Sequence, residues 1–124
     1  MKLERTVLGF PICAEVTKLD EGWDVSIFGG CKTHVGAVTL AASDGTVQTL
    51  ERSGHKDSFV SICWAERLAV RLNAPVCVRC GIHYDHATKE QLEEITTNCD
   101  EILRELTATL GWERREYRWD LSQF

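Results

Sequence analysis

Ile12-Cys13-Ala14-Glu15-Val16-Thr17-Lys18-Leu19-Asp20-Glu21-Gly22-Trp23-Asp24-Val25-Ser26-Ile27 decides how the chain is read, because its apolar residues recur at every second position on both sides of a polar turn. Ile12, Ala14 and Val16 share one face of an extended segment, and Trp23, Val25 and Ile27 share a face of the next, which predicts a β-hairpin. The run from His34 to Ala42 is almost wholly apolar and suits a strand covered on both faces. Ser43-Asp44-Gly45 then turns it into Thr46–Glu51, a second hairpin. From about Lys56 to Asn73 the period lengthens to that of a helix. Phe59, Ile62, Cys63, Val70 and the row Val60, Trp64, Leu68 and Leu72 form a wide apolar face, while Asp57, Glu66, Arg67 and Arg71 seek water. Pro75 opens a short strand that ends near Cys80. Leu92, Ile95, Cys99, Ile102, Leu103, Leu106 and Leu110 mark a last helix, with Thr88 and Gln91 as its capping box and Gly111 as its stop. In the tail, residues 112–124, Tyr117, Trp119 and Leu121 alternate as in an edge strand or a partner contact. The expected fold is α+β: an antiparallel or mixed sheet with two main helices packed on it and both sheet faces covered.

A chain of 124 residues makes one domain, 1–124, with a single core. The net charge is -5 and no run of lysine or arginine occurs, so the electrostatic footprint of a nucleic-acid binder is missing. No stretch reaches the length of a membrane span, and the first residues lack the apolar centre of a leader peptide, which points to a cytoplasmic protein. Its six cysteines are therefore expected as free thiols. Cys77 and Cys80 have the spacing of a zinc pair, but on a strand residues three apart point to opposite faces and do not share a ligand.

All four histidines fall in three glycine-containing segments: Gly29-Gly30-Cys31-Lys32-Thr33-His34-Val35-Gly36, Gly54-His55-Lys56-Asp57 and Gly81-Ile82-His83-Tyr84-Asp85-His86. Each lies where one element gives way to the next, so the fold can gather them at one edge. Gly54, His55 and Lys56 stand at the start of a helix, whose unpaired N–H groups attract anions. Gly29 and Gly30, followed by Lys32, offer a second approach for a phosphate, although neither segment has the full phosphate-binding loop. His83 and Asp85, two apart in extended backbone, face one side and suit a shared ligand. With His34 and His55 they form a donor set for a divalent metal, the basis of one reading as a small metal-dependent hydrolase or lyase. Cys31 and His34 also have a spacing that zinc accepts. No serine or cysteine sits in the local context of a nucleophile elbow.

The series Gly-Gly-x-x-x-His-Val-Gly-Ala-Val, Gly-His-Lys-Asp and Gly-Ile-His-x-Asp-x-Ala resembles the prenylated-flavin chaperones of the LpdD-like family, the D component of gallate decarboxylase systems, in order from about Trp23 to Leu106. Val35 and Asp57 stand where isoleucine and glutamate are expected in many relatives. The resemblance implies a fold similar to proteasome assembly chaperones, a homodimer, and a non-enzymatic accessory protein. Such a protein holds or delivers prenylated flavin mononucleotide for a UbiD-type decarboxylase, which itself carries out the chemistry. On that reading Gly29, Gly30, Lys32, His34, Gly54, His55, Lys56, His83 and Asp85 bind the flavin, and a divalent metal is an additional ligand of His34, His55, His83 and Asp85.

Overall fold

The computed structural model describes residues 1–54 and 56–122, with the side chains of 1–54 and 56–110. Three strands, β1 (Lys2–Val7), β2 (Phe10–Leu19) and β3 (Gly22–Gly30), run antiparallel in sequence order, and β4 (Ala37–Ala41) pairs with β5 (Val47–Glu51) as the second hairpin. β1 was not foreseen, since its residues alternate charge with apolar character too weakly to stand out. The β2–β3 turn closes as expected, and Gly22 is required there. It has φ +109°, and a Cβ would stand 2.6 Å from the Pro75 carbonyl oxygen, which accepts the Trp23 N–H at 3.0 Å.

The helix α1 (Ser58–Leu72) carries the chain back across the sheet, so that β6 (Val76–His83) enters between the two hairpins. The strand order is β1-β2-β3-β6-β4-β5, with β6 parallel to β3 and antiparallel to β4. β6 does not end near Cys80: Gly81, Ile82 and His83 continue the ladder opposite Phe28, Gly29 and Gly30. The last helix, α2 (Lys89–Ser122), starts at the predicted capping box, in which Thr88 N–H donates to the Gln91 side chain at 2.9 Å and Gln91 N–H to the Thr88 hydroxyl at 3.2 Å.

The register aligns one apolar face across four strands. Ala14, Ile27, Cys80 and Ala37 stand side by side, as do Val16, Val25, Val78 and Thr39, and all are buried. Both helices pack on this face and on each other. The expectation of two covered faces is therefore corrected. The opposite face carries no helix among the described residues, and Leu40 and Leu50 are exposed on it, because an apolar run reads alike whether one face or two are covered. On α1 the buried stripe is Ser61, Trp64, Ala65, Leu68, Ala69 and Leu72; Phe59 and Val70 fall on the other side of it, in solvent. On α2, Leu92 is exposed while the rest of the predicted face is buried. The predicted stop at Gly111 and the edge strand in the tail are not found, for α2 continues to Ser122. A helical glycine costs only about 1 kcal/mol relative to alanine, and the glutamates and arginines beyond it favour helix. The side chains of the tail lie outside the described residues.

One buried polar link joins α1 to the second hairpin: the Thr39 hydroxyl meets the hydroxyls of Thr49 and Ser61, both at 2.8 Å. Thr39→Ala removes the shared partner and is expected to lower unfolding stability by about 1–3 kcal/mol in urea denaturation. All six cysteines are free, and desolvation pushes the Cys99 thiol up to about 12 and raises that of Cys80, to which the Asp57 charge adds. A thiol-alkylating reagent at mildly alkaline pH should therefore leave Cys80 and Cys99 unmodified until the protein is unfolded, read by peptide mass mapping. Labelling of either in the folded protein would contradict this burial.

Candidate functional site

The ends of β3 and β6, the loop from Cys31 to Gly36 and the start of α1 meet at one end of the sheet. The loop lies on β6 through backbone contacts that exclude side chains. Cys31 N–H donates to the His83 carbonyl and Gly36 N–H to the Cys80 carbonyl, both at 2.9 Å. A Cβ at Gly30, whose φ is +88°, would collide with the His83 carbonyl, one at Gly81 with the His34 carbonyl, and one at Gly36 with the Asp57 carboxylate.

Asp57 does not seek water. It is only 7% exposed and forms no side-chain cap for α1. Its Oδ2 meets His34 Nε2 at 2.8 Å, and its Oδ1 accepts the Ile82 N–H at 2.9 Å and the Cys80 thiol at 3.8 Å. A buried carboxylate is tolerable only with such donors around it, and here imidazole, amide and thiol provide them. The His34 ring is itself largely buried and stands edge-on to that of His83, with centroids 6.2 Å apart and planes at 77°.

His83 and Asp85 come together as their spacing predicts, with Nε2 and Oδ1 2.8 Å apart. Between them Tyr84 points the other way, and its hydroxyl donates to the Val7 carbonyl at 2.8 Å. Cys31 joins the pair: its thiol donates to the His83 carbonyl and its sulfur accepts the Asp85 N–H, both at 3.4 Å. Donor atoms of Cys31, His83 and Asp85 all lie within 4.8 Å of one another. The hydrogen bond from His83, and then that from Cys31, hold the exposed Asp85 carboxyl below the usual range. His34 is thus turned to Asp57 and stands outside this group, while His55 lies outside the described residues.

Lys32, Gly54 and Lys56 are exposed around the same end. The helix start already has an anionic neighbour, because the Glu51 carboxylate accepts the Ser58 N–H at 3.1 Å. Gly29 and Gly30 lie within β3, paired with Ile82 and His83. Next to them the open face of the sheet forms a groove of about 400 Å³, lined by Cys13, Ser26, Phe28, Gly30, Thr33 and Arg79 among others. A shallower hollow between Phe28, Thr33, His34 and Val35 extends it to the histidine end. Arg79 reaches both carboxylate oxygens of Asp24, each at 3.3 Å. Asp57, Phe28 and Arg79 were not singled out as site residues from the sequence, and Cys31 was named only as a spacing partner of His34. The period of two did contain a signal for Phe28 and Arg79, since both fall opposite the apolar face of their strands; for Asp57 the signal was its place in the Gly-His-Lys-Asp segment.

The sequence profile of the prenylated flavin chaperone LpdD-like domain matches residues 6–111, further toward both ends than the three motifs reach. Protein LpdD of Lactiplantibacillus plantarum is 28% identical over 96 residues, 72% of this chain and 71% of that protein. Among solved structures, the crystal structure of a novel chaperone complex for yeast 20S proteasome assembly matches with a TM-score of 0.50 and 17% identity, covering 92% of this chain and 97% of that one. That likeness concerns the fold, which agrees with the expected similarity to proteasome assembly chaperones. With six-sevenths of its length, by the span of residues 6–111 in 124, inside the profile, the chain belongs to the prenylated flavin chaperone LpdD-like family.

Proposed function

We propose that this chain is a non-enzymatic chaperone that holds prenylated flavin mononucleotide and passes it to a UbiD-type decarboxylase. The observation that carries the reading is the open-face groove, which runs from Phe28 along Gly30 and Thr33 to His34 and so ends on the motif residues of the family. Its volume falls in the range of small-molecule sites, and it combines an aromatic wall with backbone and cationic groups, as a flavin nucleotide requires. When bound, the flavin supplies the decarboxylation chemistry to the partner enzyme; this chain supplies a seat. Of the two expected phosphate anchors we favour Gly29, Gly30 and Lys32, because Glu51 already takes the first N–H of α1 and repels a second anion beside Gly54, His55 and Lys56. His83 and Asp85 border the histidine end of the same groove through His34.

The homodimer belongs to the same proposal. Leu40 and Leu50 are exposed on the β4–β5 half of the open face, beside the half that forms the groove, and a second copy is the partner that a closed symmetric contact would use. A small metal-dependent hydrolase or lyase using His34, His55, His83 and Asp85 draws less support, since His34 Nε2 is engaged with Asp57.

Anaerobic titration with reduced prenylated flavin mononucleotide should give saturable binding near one ligand per site, and the loaded protein should raise the activity of an apo-decarboxylase. Absence of both effects overturns the reading. Lys32→Ala should remove a charge-assisted contact of roughly 1.5–3 kcal/mol, an about ten- to hundredfold loss of affinity, and leave the unphosphorylated prenylated riboflavin almost unaffected. Lys56→Ala should change both ligands little; the reverse order of the two lysines would place the phosphate at the start of α1.

A further inference from the structure

We propose that Cys31, His83 and Asp85 form a three-ligand site for a borderline-soft divalent ion of the zinc class, with a fourth position open to water or to an oxygen of a bound ligand. The donors are a thiol, an imidazole and a carboxylate whose ligating atoms lie within 4.8 Å of one another, a spread that one ion can span. Backbone geometry holds them there. Cys31 N–H is fixed on the His83 carbonyl at 2.9 Å, and Gly30 alone permits that approach. Tyr84 anchors the intervening residue on Val7 at 2.8 Å, so that His83 and Asp85 project together to the other side.

The bonds that these groups make with one another are ones that an ion readily replaces. Cys31 makes two sulfur contacts of 3.4 Å, and the single strong bond, His83 to Asp85 at 2.8 Å, joins two groups that each keep further lone-pair capacity. Binding therefore converts the Cys31 thiol to a thiolate with release of its proton to solvent. His83 in its neutral form gives a nitrogen lone pair, and Asp85 gives an oxygen as the carboxylate. With side chains 43% and 71% exposed, His83 and Asp85 leave the ion accessible from solvent, as an open coordination position requires. His34 is excluded from the set by its bond to Asp57 and stands beside the ion through its ring contact with His83.

The test uses the full chain, without a histidine tag and without flavin, so its outcome is separate from that of the flavin titration. Zinc titration should give one ion per chain, with a proton released in calorimetry across buffers of different ionisation enthalpy. Cobalt(II) in its place should show a thiolate-to-metal charge-transfer band and intense tetrahedral d–d bands. Cys31→Ser should abolish the charge-transfer band and weaken zinc by more than the roughly 10- to 100-fold typical of outer-shell changes. Cys63→Ser should retain the full stoichiometry and the band. Asp85→Asn, at an exposed position that leaves the fold intact, should weaken zinc in the same way and serves if the cysteine variant does not fold. A cobalt spectrum without the thiolate band, or unchanged zinc affinity in Cys31→Ser or Asp85→Asn, would overturn the proposal and leave the three residues as a hydrogen-bonded turn.

Discussion

The buried Asp57 carboxylate is the constraint on which the functional end of this fold depends. A carboxylate removed from water costs several kcal/mol unless hydrogen-bond donors replace the lost hydration, and the donors here come from two separate parts of the chain. Ile82 and Cys80 belong to the central strand, and His34 to the loop leaving β3. Asp57 itself begins α1, so one side chain fixes the approach of that helix, the end of β6 and the path of residues 31–36. Gly36 and Gly81 are the counterparts of this arrangement. A side chain at the first would occupy the position of the carboxylate, and one at the second would push the loop away from β6.

That junction matters because β6 is the last strand to be formed in sequence and the middle one in space. It has paired neighbours on both sides, a parallel strand separated from it by two hairpin strands and a helix, and an antiparallel one. Placing both helices over one face leaves the other as an unroofed surface with a groove at one half and exposed leucines at the other. An open groove is consistent with a carrier. An enzyme gains by enclosing its substrate and excluding water, whereas a protein that must give up a large planar ligand needs a release path that does not require unfolding its walls.

What could be read from the sequence was what local period determines. Both hairpins, α1 and the capping box of α2 follow from spacing alone, as does the opposite orientation of Cys77 and Cys80, one buried and one partly exposed. What could not be read was decided by tertiary contact. Leu40 lies in an apolar run that gives no sign of which side faces solvent. Phe59 and Val70 fit a wide helical stripe that the sheet is too narrow to cover, and small residues at 61, 65 and 69 mark the stripe that it does cover. Asp57 at a helix start has every local mark of a cap, and donors far away in sequence, the His34 imidazole, the Ile82 N–H and the Cys80 thiol, draw it inward. The same reasoning explains Cys31: it was weighed with His34 because of their spacing, yet the turn at Gly30 aims it at His83.

His34 and His83 therefore stand in different physical regimes although their rings touch. His34 is largely buried, with its Nε2 bound to a carboxylate that is held by the backbone, so moving it disturbs the sheet. His83 is partly exposed and bound to an exposed carboxylate, beside a thiol held by long sulfur contacts, so its partners can be exchanged at little cost to the core. The edge-on contact of the rings couples the two. His83 stands against His34, and His34 is bound through Asp57 to the first turn of α1, so the rigid side of the pair limits how far His83 can turn. This end of the sheet is in this way a fixed inner carboxylate–imidazole pair beside an adaptable outer one, an arrangement that fits the proposed carrier, which has to accept a ligand and let it go.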